Sequence, residues 1–306
     1  MEFKYIPRRV CIPIGMACNV KCLYCMRKAG KIREPKLTPI IREYLQWLSP
    51  KTTEAVVMNG GEPLLYIDRI KEIRSLVHPN IHFTVMTNGT LLTEEFVDWL
   101  NDNNGELHFS HEGIAAKYLK GVDVLEDPYI VKCLNKVKRM RIYNLMASCN
   151  PDVMENYKYV VSHLPNVEKL CYTAFPMFAF AGNEYLVKDF DYDLFQKSYM
   201  EFVDTVPDYY RQNPHLILSG HRMLGLNVLL DGSIASISTL RKYGTVFNTR
   251  EEILEKIRES GDNDFCTNRN CSARHCCTMA PQCANEFSCK CMEIVNFVNN
   301  AYRNLP

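Results

Sequence analysis

Cys18-Asn-Val-Lys-Cys22-Leu-Tyr-Cys25 sets three thiols at the spacing C-x3-C-x2-C, with an aromatic residue, Tyr24, directly before the third. Thiolates are soft ligands suited to iron–sulfur clusters. A [4Fe–4S] cube takes four ligands, so three cysteines here would leave one iron open. The run follows the apolar residues 10–14 and so falls in the loop after a first strand. Two other accounts stand beside this one. A chain with 14 cysteines in 306 residues can produce the spacing by chance, and zinc also binds cysteine, although structural zinc takes four protein ligands.

Composition narrows the class. A hydrophobic content of 47%, a charged content of 23% and a net charge of +1 describe an ordinary folded protein with a core. They give no electrostatic case for nucleic acid or an acidic membrane as partner. The start, MEFKYIPRRV, lacks the apolar run of a secretory signal. The most apolar long segment, residues 170–182, is too short to span a bilayer. A cytoplasmic, reducing setting is therefore expected, in which crowded cysteines serve metals rather than disulfides. Cys11, Cys133, Cys149 and Cys171 stand alone in apolar surroundings and read as core residues. Ten others fall in two groups, the first motif and a tail run.

Outward from the cysteine loop, short apolar runs alternate with helical patterns. Residues 38–48 put Ile40, Ile41, Tyr44, Leu45 and Leu48 on one helical face. Residues 54–58 read as a buried strand ending in Asn59-Gly60-Gly61-Glu62-Pro63. Ile67, Ile70, Ile73 and Val77 mark a helix, and residues 81–86 a strand ending in Thr87-Asn88-Gly89. Thr93 opens a helix with Phe96, Val97 and Leu100 inward. Residues 106–110, 142–149 and 167–174 are three further strands. The helices between them carry Ile130, Leu134 and Val137, then Val153, Tyr157, Val160 and Leu164.

Six βα units in succession imply a parallel sheet whose site is built by the loops at the carboxyl ends of its strands. Those loops begin with the cysteine motif, Gly-Gly-Glu-Pro, Thr-Asn-Gly, Ser110-His111-Glu112-Gly113, Ser148-Cys149-Asn150-Pro151 and Ala174-Phe175-Pro176. Any one of them is ordinary turn chemistry. Their conjunction is what points to a ligand.

The cysteine motif and Gly60-Gly61-Glu62-Pro63 together resemble the radical S-adenosylmethionine (SAM) enzymes, over roughly residues 8–180. The resemblance implies an α/β fold, a partial (βα)6 barrel open on one side. It implies a [4Fe–4S] cluster on Cys18, Cys22 and Cys25 whose open iron is chelated by SAM. Gly60, Gly61 and Glu62 would hold the SAM amino group. Ser110 and Asn150 match polar positions that contact SAM, and Tyr24, Thr87 and Asn88 join the cofactor-binding set. Glu112 departs from the commoner Ser-x-Asp-Gly. The implied chemistry is reductive cleavage of SAM to a 5′-deoxyadenosyl radical that removes a hydrogen atom from substrate, with flavodoxin or ferredoxin as reductant. No residue is assigned to quench the product radical; Cys149, Cys171 and Tyr172 are candidates by position alone.

Beyond residue 182 the alternation stops. Residues 183–225 read as a helical connection, with Tyr192, Phe195, Tyr199, Phe202, Val203 and Val206 as a core stripe. Residues 226–306 read as a small α+β extension. It opens with a hairpin turning on Asp231-Gly232 and an amphipathic helix over residues 251–257. It carries Cys266, Cys271, Cys276, Cys277, Cys283, Cys289 and Cys291, and ends in a helix through Ile294, Val298 and Tyr302. This tail resembles the SPASM and twitch extensions that hold auxiliary [4Fe–4S] clusters, although the usual cysteine after the hairpin is missing. Seven cysteines suit one auxiliary cluster with spares, or two with a further ligand such as His275. A structural zinc site is the other account.

The resulting expectation is a radical SAM oxidoreductase or maturase acting on a peptide or protein side chain. The alternatives are a small-metabolite substrate, a zinc tail, or an iron–sulfur protein without catalysis. The intact cysteines and Gly-Gly-Glu-Pro count against the last. The first strand starts within ten residues of the beginning, so no leader-binding domain is expected ahead of it.

Overall fold

Six parallel strands, separated by helices, form the frame that positions the cysteine loop. The computed structural model describes residues 2–25, 36–165, 170–176, 184–205, 226–236 and 241–259. Its elements run β1 (Arg9–Gly15), α1 (Pro39–Trp47), β2 (Ala55–Gly60), α2 (Ile67–Leu76), β3 (His82–Thr87), α3 (Glu94–Asp102) and β4 (Glu106–Ser110). They continue with α4 (Ala116–Lys120), α5 (Pro128–Lys136), β5 (Met140–Met146), α6 (Val153–His163), β6 (Leu170–Pro176) and α7 (Tyr192–Thr205). β7 (Leu226–Val228), β8 (Ser233–Ser236), β9 (Lys242–Thr245) and α8 (Arg250–Glu259) follow.

The large sheet has the order β1-β2-β3-β4-β5-β6, with every neighbouring pair parallel. β1 and β6 are its two edges, so the sheet is open as expected. Alternation divides the two faces. Leu107 and Phe109 of β4 enter the core with Phe96, Leu134 and Ile142. His108 and Ser110 lie on the other face, opposite Arg141 and Tyr143 of β5. Both sets are largely buried, which is why β1 and β2 read as almost continuous apolar runs.

Side-chain caps start several of the helices, Thr93 where the sequence placed it. Thr93 accepts from Phe96 N at 3.2 Å, Asp127 from Tyr129 N at 2.9 Å and Asp152 from Glu155 N at 3.0 Å. Each such cap is worth about 1 kcal/mol. α4 stops at Gly121, whose φ of 78° is left-handed.

Three boundaries differ from the sequence reading. β5 begins at Met140 and ends at Met146, because Asn150 folds its side chain back onto Ala147 N at 2.7 Å and turns the chain there. β6 extends to Pro176, which pairs with Met146. The hairpin turn centres on Leu230-Asp231. Gly232 N donates to Leu229 O, and Gly232 itself takes the left-handed position at φ 83°. That arrangement is a three-residue loop with a glycine bulge rather than a two-residue turn. α4 and β9 were not anticipated.

The small antiparallel sheet β7-β8-β9 shares the core of the large one. Val228, Leu230, Ile234 and Val246 join Tyr5, Ile12 and Ile41 in one cluster. Thr38 hydrogen bonds to Leu230 O, and the amides of Lys4 and Tyr5 to Val246 O. The tail cysteines and the final helix lie outside the described residues. Among the described residues no helix is long and apolar enough to cross a membrane.

Candidate active site

The loops at the carboxyl ends of β1, β2, β3 and β4 are hydrogen-bonded to one another. Cys18, Cys22 and Cys25 lie on the β1 loop as free thiols, the first two half-buried and the third exposed. Cys25 N donates to Cys22 O at 3.1 Å, closing a turn that brings those two together. Asn88 at the end of β3 reaches Cys18 Sγ at 3.8 Å and Asn19 Oδ1 at 3.1 Å. Burial raises the Cys18 thiol pKa. At Cys22 burial is again the largest cause, and the value rises to about 11; Glu112 and Cys25 add to it while Lys120 opposes. Thiols held this way give up their protons to a metal rather than to water.

The donor set fits an iron–sulfur cube. Among the described residues no three His, Cys, Asp or Glu side chains converge tightly enough for a single ion. A cube spaces its thiolates further apart than one ion does, and three soft donors without a fourth leave one iron for a ligand.

The β2 loop is pressed against the cysteine loop. Gly61 N donates to Gly15 O at 2.9 Å and Glu62 N to Ala17 O at 2.8 Å. A Cβ on Gly60 would stand 2.1 Å from Gly15 O, and one on Gly61 2.2 Å from Ala17 O. Only glycine allows that approach. The amides of Gly61 and Glu62 are therefore spent within the protein, and only backbone carbonyls of this loop are left to meet an amino group.

Glu62 is also turned inward. Its carboxylate is 1% exposed. It accepts from Leu64 N at 3.0 Å, Thr87 Oγ1 at 2.7 Å and Asn88 N at 2.8 Å. Burial raises its pKa, against the pull of those donors. Glu62, Thr87 and Asn88 thus come together as a brace between the β2 and β3 loops.

The β4 loop holds what the sequence reading missed. Lys120, the last residue of α4, turns back to donate to Ser110 O and to Ser110 Oγ at 2.8 Å, and pairs with Glu112 Oε2 at 2.9 Å. The other Glu112 oxygen accepts the hydroxyl of Tyr24. Leu23 N donates to Leu119 O at 2.8 Å beside it. Ser110 and Tyr24 are therefore joined through Glu112 and Lys120. A lysine ending a helix just before glycine reads as a solvated cap, and only the apolar pattern around Ala115, Ala116 and Leu119 hinted otherwise.

Further along the same loop, His111 Nδ1 accepts from Gly113 N at 3.1 Å, so Nε2 carries the proton toward Asp123 Oδ1 at 2.9 Å. Tyr159 donates to Asp123 Oδ2 at 2.6 Å. Asn150 is 1% exposed, with its amide on Glu112 O at 2.9 Å. It serves the turn, and its side chain does not present itself to a ligand. Tyr172 packs at 5.4 Å from Tyr157 and 5.5 Å from Phe202, on the helix side of the sheet and away from these loops. Cys149 is exposed.

The model of the radical SAM superfamily matches residues 12–154, a span holding all of these loops. Those residues are a radical SAM domain. The family uses a [4Fe–4S] cluster and SAM, consistent with the three thiols and the open position above. Among curated relatives, a GTP 3′,8-cyclase of Campylobacter jejuni subsp. doylei is 33% identical over 129 residues, 38% of this chain and 39% of its own. The first curated relatives are matched over half of their length or less. Among solved structures, anSMEcpe with AdoMet and a peptide bound superposes with a TM-score of 0.69 at 18% identity, over 98% of this chain and 100% of that one. Streptococcus suis SuiB bound to precursor peptide SuiA does so with 0.59 at 17%, over 92% and 72%. Those two likenesses are of fold.

Proposed function

We propose that this chain is a radical SAM maturase that removes a hydrogen atom from a peptide or protein side chain. The observation that carries the reading is the loop of Cys18, Cys22 and Cys25, three thiols held against the Gly60-Gly61-Glu62 loop. Cys18, Cys22 and Cys25 would hold the cluster, and Ser110 and the backbone of the β2 loop would line the SAM position. When bound, the reduced cluster supplies the electron that splits SAM into methionine and the adenosyl radical. The protein's part is to fix that position. Glu62 holds the β2 and β3 loops together, and Tyr24 ties the cysteine loop to the β4 loop. An electron donor such as flavodoxin or ferredoxin completes the system, and the tail cysteines would hold one or two auxiliary clusters.

The peptide substrate is favoured because two solved proteins sharing this fold were captured with peptides. The test is to reconstitute the full chain without oxygen, reduce it with dithionite and count 5′-deoxyadenosine formed from SAM. The wild type should form it, and the Cys18→Ala, Cys22→Ala, Cys25→Ala triple variant should not. Equal product from both would end the proposal. A mass change in a short peptide co-expressed with the chain, absent with the triple variant, would support the peptide reading; conversion of small metabolites alone would replace it.

A further inference from the structure

We infer that Lys120 and Glu112 form a fixed charge pair that sets the reduction potential of the cluster on the cysteine loop, an inference that rests on the radical SAM reading above. The side chains of the pair are 4% and 0% exposed and stand 2.9 Å apart. An ammonium has three N–H donors. Lys120 donates to Ser110 O and Ser110 Oγ, and stands against Glu112 Oε2 as its ion-pair partner, so it is held in place from two sides. What it offers its surroundings is charge.

That charge is aimed at the cluster loop by two links. Glu112 receives the hydroxyl of Tyr24, which sits between Cys22 and Cys25. Leu119 O, one residue before the lysine, receives Leu23 N at 2.8 Å. The pair therefore stands against the cluster loop.

Stability alone is a poor reason for such a pair. Taking two charges out of water costs several kcal/mol per ion, and apolar side chains of similar volume hold loops together as well or better. A cube held by three thiolates is an anion, and reduction adds a further negative charge, so its potential depends on nearby fixed charge and hydrogen bonding. In a buried site the effect is screened far less than in water. Lys120 favours the reduced state and Glu112 opposes it, which makes the pair a positioning and tuning device rather than a group that reacts.

The test is an EPR-monitored redox titration of the reconstituted full chain, following the signal that changes when SAM is added. Lys120→Gln should move the midpoint to more negative potential and Glu112→Gln to more positive. Lys120→Arg, which keeps the charge, should stay near wild type. A merely structural pair would move both single variants the same way through loosened packing. An unchanged midpoint in either single variant, or shifts of one sign in both, overturns the inference. Should Lys120→Gln take up no cluster, Tyr24→Phe decides. It keeps the ring but leaves the Glu112 charge unquenched, so a negative shift supports the inference and an unchanged midpoint overturns it. A wild-type cluster signal indifferent to SAM would instead strike the radical SAM reading itself.

Discussion

Glu62 and Asn88 are joined by a 2.8 Å hydrogen bond from the Asn88 backbone N–H to a carboxylate oxygen. With the bonds from Thr87 and Leu64, it makes one buried side chain the tie between two loops. Removing it strands three donors at once. Glu62→Ala should lower unfolding stability by about 1.5 to 3 kcal/mol, the worth of a charge-assisted buried hydrogen bond. SAM affinity, read by calorimetric titration, should fall roughly tenfold to a hundredfold. A variant matching wild type in both would reduce the loop to a plain turn.

Two glycines offer a contrast between close approach and backbone freedom. Gly61→Ala drives a methyl to 2.2 Å from Ala17 O and 2.5 Å from Met16 O, both immovable backbone atoms. Overpacking of this kind costs about 1 to 3 kcal/mol or more, and here it pushes the cysteine loop outward. Iron uptake on reconstitution should drop. Gly121→Ala meets nothing within 4 Å and has only its φ of 78° to resist. It should cost about 1 kcal/mol and leave iron uptake alone. Equal iron content in the two variants would show that the loops do not depend on each other.

Asp123 predicts how the domain meets acid. Burial works to raise its pKa, but donation from His111 and Tyr159 outweighs it and holds the carboxyl at about 2, below the usual 3.8. The folded value is the lower one. Its stabilisation is therefore complete above about pH 4 and is lost as pH falls toward about 2. Denaturant titrations between pH 5 and 2 should show stability falling through that window, with a shallower fall in Asp123→Asn. Parallel curves would assign the acid response to other carboxylates.

The tail carries its own prediction. Seven cysteines between Cys266 and Cys291 are too dense for core packing and would oxidise readily if left free. The Cys18, Cys22, Cys25 triple alanine variant, reconstituted without oxygen, should still hold at least about four irons per chain. Elemental analysis finding one zinc and no iron would make the tail a structural clamp.

The strand order and the loop contents could be read from the sequence, because period-2 and period-3.6 patterns are set by residues a few places apart. Placement of Cys18, Cys22 and Cys25 on the first loop, and of Gly60-Gly61-Glu62 beside it, followed from the same alternation. What could not be read was the direction of side chains. Glu62 and Asn150 are polar residues at strand ends, where a ligand could reach, yet both spend their hydrogen bonds inside the protein. Lys120 is separated from Glu112 by a short helix that no periodicity announces, and its pairing depends on Gly121 ending that helix. The hairpin was found by its Asp231-Gly232, but the same dipeptide serves two loop lengths, and only the bond from Gly232 N to Leu229 O distinguishes them.

The division of β4 between Leu107 and Phe109 on one face and His108 and Ser110 on the other has a consequence for how such a chain can diversify. Substitutions among the residues facing away from the helices leave the apolar packing that secures the fold untouched. Selection, or an engineer, can rewrite that lining position by position to suit a new substrate. A lineage built this way can explore reactions while keeping one inherited scaffold.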